Sequence, residues 1–307
     1  MSSVEQNKEW DRMALRAATA RMGEFAWPTV IYGVAVVVAY WVVVALVLLG
    51  EINIWLGALL CALATYLSYT TLHESVHGSI SGKHQRLRRL NDALGYMSGM
   101  ISMIPLTVHR YEHLAHHRHT NLPGRDPDAL LASSSGSPLR LMANSVRVYF
   151  ANYAFYIRNR WGVAPWTEKL ALVLEILAAF GVRLVIVAAG FWWEAAGLFV
   201  VGTLIGLSIL LYLFAYIVHR PHDAVGRYVD TSTIRVSGPV GKVLTWLWVF
   251  QNYHSIHHLF PKVPFYRYVQ VFDEIEAIMA RRQAPLYRLT WRGLVPESEE
   301  RKVLAQV

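Results

Sequence analysis

The chain has 307 residues, of which 54% are hydrophobic and only 16% charged, with a formal net charge of +8 and a mean hydropathy of +0.30. Soluble domains carry about a quarter charged residues, so this composition excludes an ordinary soluble domain. The basic excess is segregated by topology rather than spread over a nucleic-acid-binding face, so no nucleic-acid partner is expected. A single cysteine, Cys61 in an apolar run, excludes an internal disulfide and a cysteine-held iron–sulfur cluster.

In chain order, the first 25 residues mix acids and bases without the apolar core of a signal peptide, so no cleaved leader is expected. Residues 27–50 carry no charge and can span a bilayer; residues 52–72 can also span and run directly into His73. Only Glu51 separates them, which predicts a tight helical hairpin. The segment 91–106 is apolar but short, with two glycines and Pro105, and reads as an interfacial or re-entrant piece. Residues 139–161 mix aromatic, aliphatic and arginine side chains, as do residues 264–283; both read as cytosolic helices lying on the membrane. A second pair of spans covers about 170–190 and 196–218, joined by an aromatic FWWEA turn suited to the interface, and the last span runs into His219. The spans contain two ionisable residues, Glu175 and Arg183, thin support for a transport path.

Base distribution fixes the orientation. Neither hairpin turn contains Lys or Arg, Arg183 lies within the third span, and the other 28 of 29 basic residues precede the first span, separate the second from the third, or follow the fourth. The positive-inside rule places both termini and the middle segment in the cytoplasm. The expected fold is therefore an all-α, multi-pass integral membrane protein. It forms one domain over 1–307, with four transmembrane helices in two hairpins. A cytosolic helical cap over 73–168 and 219–283 holds a two-metal site.

Three histidine clusters carry the chemistry: His73 and His77; His113, His116 and His117; His254, His257 and His258. Residues three and four apart share a helix face, so each triplet projects its imidazoles into one space. Eight clustered histidines, joined by His219 where the fourth span ends, exceed what one ion takes. They suit two ions with four or five protein ligands each, whereas a structural zinc site is closed with four. Of the other histidines, His222 competes with His219 across Pro221. His109 lies one turn before the second triplet and reads as a pocket residue. His119 points about 120° away from His113, and His84 sits in a basic, solvated run. Metal-bound histidines hand their other ring N–H to a carboxylate or carbonyl. The candidates near the clusters are Asp126, Asp128, Asp223, Glu112 and Asn252, with His109 and His222 beside them. Asp126-Pro-Asp128 also fits a turn with capping carboxylates. The first cluster, HESVH, matches the zinc protease pattern with Glu74 as base, but that reading leaves both triplets unexplained.

HESVH, HLAHHRHTNLPGRDPD and QNYHSIHHLFPKVPFYRY resemble the three histidine boxes of the membrane fatty acid desaturase and hydroxylase superfamily. Within it the chain is most similar to the desaturase-like carotenoid beta-ring hydroxylases, through HRYEHLAHHRHTN with RDPD, YIVHRP, and the third box. The resemblance implies four spans under a cytosolic cap and a non-haem centre of two ferrous ions that activates O2. It implies His73, His77, His113, His116, His117, His219, His254, His257 and His258 as the iron ligands. The implied reaction is hydroxylation of the beta-ionone ring, beta-carotene to zeaxanthin through cryptoxanthin. The same chemistry in an acyl-lipid desaturase is the alternative. Three residues between the histidines of the first box, against four in many acyl desaturases, favour the carotenoid substrate; Glu74 departs from the aspartate of the hydroxylase box. Electrons are expected from a separate ferredoxin or cytochrome, steered by Lys83, Arg86, Arg88, Arg89, Lys262 and Arg267. Those bases equally fit positive-inside topology and anionic lipid.

Overall fold

A computed structural model describes residues 3–134 and 137–297. Helix α1 (Ser3–Thr19) precedes α2 (Trp27–Leu48), α3 (Ile54–His77), α4 (Arg88–Ser102), α5 (Leu106–His119), α6 (Pro138–Tyr156) and α7 (Trp166–Ala188). The next run, Trp192–His219, we call α8; with α2, α3 and α7 it is long and apolar enough to cross a membrane. Then follow β1 (Thr233–Val236), α9 (Gly238–Leu247), α10 (His254–Leu259), α11 (Tyr268–Arg281), β2 (Leu286–Thr290) and β3 (Gly293–Pro296). The chain is mostly helical, with four candidate spans.

Close approach of small residues sets the bundle. Thr71 near the end of α3 meets Gly33 near the start of α2, while Val47 near the end of α2 meets Gly57 near the start of α3, so the two run antiparallel. Helices α3 and α8 run in the same direction. A Cβ at Gly206 would stand 2.6 Å from the Ala62 carbonyl and one at Gly202 2.9 Å from that of Ala58. This is the small-xxx-small contact that lets helix backbones touch in a bilayer. Both helices therefore finish at the same end, with His73 and His77 on one and His219 on the other. Helix α8 is not uniform: wide π-turns cover Ala196–Val201 and Leu211–Tyr216. Such turns shift the phase of the residues that follow and recur at functional sites; the second precedes His219.

The segment 91–106 does not cross. Helix α4 ends at Ser102, Met103 turns the chain in the left-handed region at φ 60°, and α5 returns. This re-entrant turn is held by α7. Arg183 donates to the carbonyls of Met100 (3.1 Å) and Ile101 (3.3 Å) at the end of α4. Glu175 accepts from the backbone N–H groups of Leu106 and Thr107 at the start of α5. Cation to helix C-terminus and anion to N-terminus is the pairing the helix dipole favours. The two charges of the third span thus brace the turn rather than each other.

One expectation is extended and one changes. The mostly helical chain fits the all-α class, with a small added sheet in which β1 pairs parallel with β2, and β2 antiparallel with β3. Thr233, Ile234 and Val236 supply the β-branched residues of β1, but its partner lies some fifty residues on. Residues 264–283 do not lie on a membrane by an apolar face: Val271, Phe272, Ile275, Ile278 and Met279 of α11 are buried within the protein. By contrast, α6 exposes Leu139, Met142, Val146 and Phe150, the stripe expected of a helix in contact with lipid.

Candidate metal centre

The site forms where α3 and α8 end. Helix α3 brings His73 and His77 one turn apart, and α5 crosses there with His113, His116 and His117. Helix α10 brings His254, His257 and His258. Ser232, the residue before β1, ties α10 to the end of α8: it donates from its backbone to the Val218 carbonyl (2.7 Å), and Ser255 donates to its carbonyl (3.3 Å). The sheet therefore docks the third cluster beside His219.

The ring nitrogens sort into two adjoining groups. His73, His77, His113, His117 and His257 offer nitrogens within 4.8 Å of one another, as do His116, His219 and His258. The ring of His254 lies beside the second group, its centroid 4.8 Å from those of His219 and His258. Within the groups, Nε2 of His117 stands 3.1 Å from Nε2 of His113 and 2.8 Å from Nε2 of His257. Nε2 of His116 stands 2.9 Å from that of His219. At a metal–nitrogen distance of about 2.1 Å, neighbouring ligands lie about 3.0 Å apart at right angles and about 3.4 Å at the tetrahedral angle. The observed spacing puts these nitrogens close enough to share an ion. Nε2 of His73, His77, His254 and His258 is buried without any hydrogen-bond partner, a costly state unless a cation receives the lone pairs. Histidine clusters that could bind metal are therefore present twice over.

Outer partners fix the rings. Asp126 Oδ1 accepts from His116 Nδ1 at 2.8 Å, with Asp128 Oδ2 at 3.8 Å. Gln251 Oε1 accepts from His254 Nδ1 at 3.0 Å, and the Tyr268 hydroxyl lies 3.1 Å from His257 Nδ1. Each leaves Nε2 free to point inward. Burial, then neighbouring histidines, push His113, His117, His257 and His258 well below the ordinary histidine range, and His254 to about 3. Neutral imidazole is the form that ligates. His116 departs: burial would lower it, but the hydrogen bond and charge of Asp126, with Asp128 and Glu112 behind, lift it to about 9.

Comparison with known proteins adds the family. Residues 51–290 match the fatty acid desaturase family. The chain belongs to that family. This desaturase-family chain is 28% identical over 217 residues to the beta-carotene ketolase of Paracoccus sp. (strain N81106 / MBIC 01143), covering 67% of this chain and 77% of the relative. It is 23% identical to fatty acid conjugase FAC2 B of Calendula officinalis, over 72% of this chain and 68% of the relative. It is 28% identical to a fatty acid desaturase of Bacillus subtilis (strain 168), over 65% of this chain and 61% of the relative. The relatives make it an oxidoreductase, and the four apolar helices with the family make it an integral membrane protein.

Not every candidate residue of this desaturase-family chain reaches the histidines. Asn252 donates instead to the Ile234 carbonyl and the Thr245 hydroxyl, bracing the loop before α10. Asp223 is exposed. His222 stacks on Tyr216, 5.0 Å between centroids, outside both groups. Glu112 binds His109 Nδ1, and the His109 ring stands 5.0 Å from that of His113. Glu74 accepts from the Ser79 hydroxyl at 2.8 Å and lies beside Tyr268, behind the ligand face rather than on it; a protease base would have to face the metal. His84 is exposed. Gln251 and Tyr268 were not anticipated. Gln251, three residues before His254, carried a readable helical spacing; Tyr268 is eleven residues from its histidine and carried none.

Proposed function

We propose that the chain is a non-haem di-iron, O2-dependent membrane oxygenase that hydroxylates the beta-ionone ring of a carotenoid. The observation that carries this reading is the convergence of histidine nitrogens in a group of five and a group of three, with the His254 ring beside the second and Nε2 of His73, His77, His254 and His258 buried without a partner. His73, His77, His113, His117 and His257 would hold one iron, and His116, His219, His254 and His258 the other. Bound there, the iron pair supplies the power to activate O2, with two electrons from a separate donor, against an unactivated C–H bond. The chain's own residues prepare the site. Asp126, Gln251 and Tyr268 hold the Nδ1 atoms, which fixes the tautomers. Tyr69 and Phe214, stacked edge to face at 4.9 Å, wall the five-histidine group on its apolar side. That wall keeps water from the reacting carbon.

Relatives named as beta-carotene ketolases support a carotenoid ring as substrate, because ketone formation begins with oxidation of a ring C–H bond. The conjugase and desaturase relatives favour a second reading, an acyl-lipid desaturase. The base distribution supports a cytoplasmic metal site. Exposed Lys83, Arg86, Arg88 and Arg89 offer a surface for an acidic ferredoxin or cytochrome. Expression in a beta-carotene-producing host, followed by pigment chromatography and lipid analysis, tests the reading. Zeaxanthin with cryptoxanthin is expected; unchanged pigment with new unsaturated acyl chains transfers the proposal to the desaturase. One zinc in place of two irons overturns both.

A further inference from the structure

Three cavities lie in series beside the histidines. The largest, 530 Å³, sits between α6, α7 and α8, and Val146, Phe150, Phe180, Thr203 and Leu204 wall it. A second, of 360 Å³ between α4 and α7, shares Met103, Tyr153, Ile176 and Phe180 with it. Val146, Phe150 and Leu204 are solvent-accessible, so the mouth opens on the side that the spans turn to lipid. An inner pocket of only 50 Å³ reaches Tyr69, His109, Glu112 and Phe214, and the Tyr69 and Phe214 rings pack against His73. Tyr149 and Tyr153 stand between, lining both the outer cavity and the inner pocket. Their hydroxyls donate to one acceptor, the Met103 carbonyl, at 2.7 and 3.1 Å, and lie 3.3 Å from each other.

We propose that Tyr149 and Tyr153 gate a lateral route, formed by these cavities, along which a bilayer-dissolved hydrocarbon brings its reacting end to the histidine centre. This rests on the reading of that centre as an oxidant of lipophilic substrates. The occupant follows from the lining: apolar walls at a mouth between two spans admit a hydrocarbon from the bilayer and nothing charged. The inner pocket holds a few water-sized groups, so neither a ring nor a chain enters until the two tyrosines leave Met103. The inner pocket carries two buried acceptors with no partner, Asn152 Oδ1 and Glu112 Oε2, so an entering hydrocarbon meets unpaired polar atoms there.

The test uses the full chain, iron-loaded, in phosphatidylcholine vesicles containing a diazirine-bearing acyl chain or a diazirine-bearing polyene, with cross-links mapped by mass spectrometry. Labelling is expected at Val148 and Leu211 of the inner pocket. It should fall severalfold in Val146→Trp, which plugs the exposed mouth, and rise severalfold in Tyr149→Phe/Tyr153→Phe, which unlatches the gate, with iron content unchanged in both. The conservative phenylalanine pair keeps the test open should the tryptophan variant fold poorly. Competition by beta-carotene identifies a polyene occupant, and competition by excess phospholipid an acyl chain; either supports the route. Labelling that persists in a protein without O2-dependent turnover supports the route and counts against the chemistry. No inner labelling in the parent protein, or equal labelling in all variants, overturns the proposal.

Discussion

Asp126→Asn separates the two histidine groups. Asp126 Oδ1 accepts from His116 Nδ1 at 2.8 Å and from the Asp128 backbone at 2.9 Å, while Oδ2 accepts from the Asn121 backbone at 2.8 Å. With the amide oxygen towards His116, an asparagine loses the Asn121 contact and leaves His116 a neutral acceptor; with the NH2 there, the His116 and Asp128 contacts are both lost. Either way the carboxylate that aims His116 Nε2 at the position shared with His219 is gone. Loss of such a partner costs about tenfold to hundredfold in metal affinity, or ~1.4–2.7 kcal/mol. His116 belongs to the four-histidine group, so that ion loosens and the five-histidine ion does not. Chelator titration of the iron-loaded protein, followed by elemental analysis, reads this as one iron released at about tenfold to hundredfold lower chelator concentration. Gln251→Leu, acting through His254, should weaken the same iron, and Tyr268→Phe, acting through His257, the other. Parallel release of both irons in Asp126→Asn, or one release step shared by Asp126→Asn and Tyr268→Phe, would refute the division.

Three further outcomes are expected. Gly206→Leu drives a side chain into Ala62 and Thr65, where even a Cβ meets atoms at 2.6 and 2.7 Å; overpacking costs ~1–3 kcal/mol. Because α3 and α8 both end at the site, thermal denaturation should shift down together with iron content. Arg183→Met leaves the Met100 and Ile101 carbonyls without that donor at ~1–3 kcal/mol each, so the melting temperature in detergent should fall; an unchanged value refutes the bracing role. The metal-free protein should lose stability between pH 7 and 5. His113, His117, His254, His257 and His258 titrate below their unfolded value of about 6.5, so the unfolded chain takes up the extra protons as pH falls. His116, raised to about 9, acts in the opposite sense: its contribution is full below about 6.5 and lost as pH rises through 9. Buried Glu112 and Asp230, raised to about 8 and about 6, and Asp128, also raised, bind protons in the folded state over this range and act with His116. The five lowered histidines, with His109 lowered to about 4, outnumber them on the acid side. Thermal unfolding of chelated protein across that range checks it, and greater stability at pH 5 than at pH 7 refutes it.

What the sequence made legible was whatever depends on local spacing. Apolar runs of spanning length, three of the four free of charge, marked the four apolar helices, and the i, i+3, i+4 pattern gave each histidine triplet a common face. Pairings across long separations were not legible. The meeting of β1 with β2 depends on where α9 to α11 pack, and short β-branched stretches recur too often to announce it. The same holds for outer partners. Asp126, Asp223 and Asn252 were equivalent by nearness in sequence, yet Asp126 alone of the three turns its side chain to a site histidine. Glu175 and Arg183 could be read only as two charges in a span, because their targets are backbone atoms at the ends of other helices.

Those two charges connect the membrane-facing part of the fold to the centre. Arg183 holds the last carbonyls of α4, and Glu175 holds the first N–H groups of α5. The turn between them is thereby fixed in depth against α7. Helix α5 leaves that turn rigidly, and its rise of about 1.5 Å per residue sets where His113, His116 and His117 arrive beside α3. The same turn offers the Met103 carbonyl to Tyr149 and Tyr153. A shift of α7 would therefore move three site histidines and the tyrosine latch together, although no residue of α7 is among the site histidines. Charged residues buried in an apolar span are costly. Here they hold the gate and the ligand helix to one reference, so that the cavity behind the tyrosines and the nitrogens beyond it keep a common register.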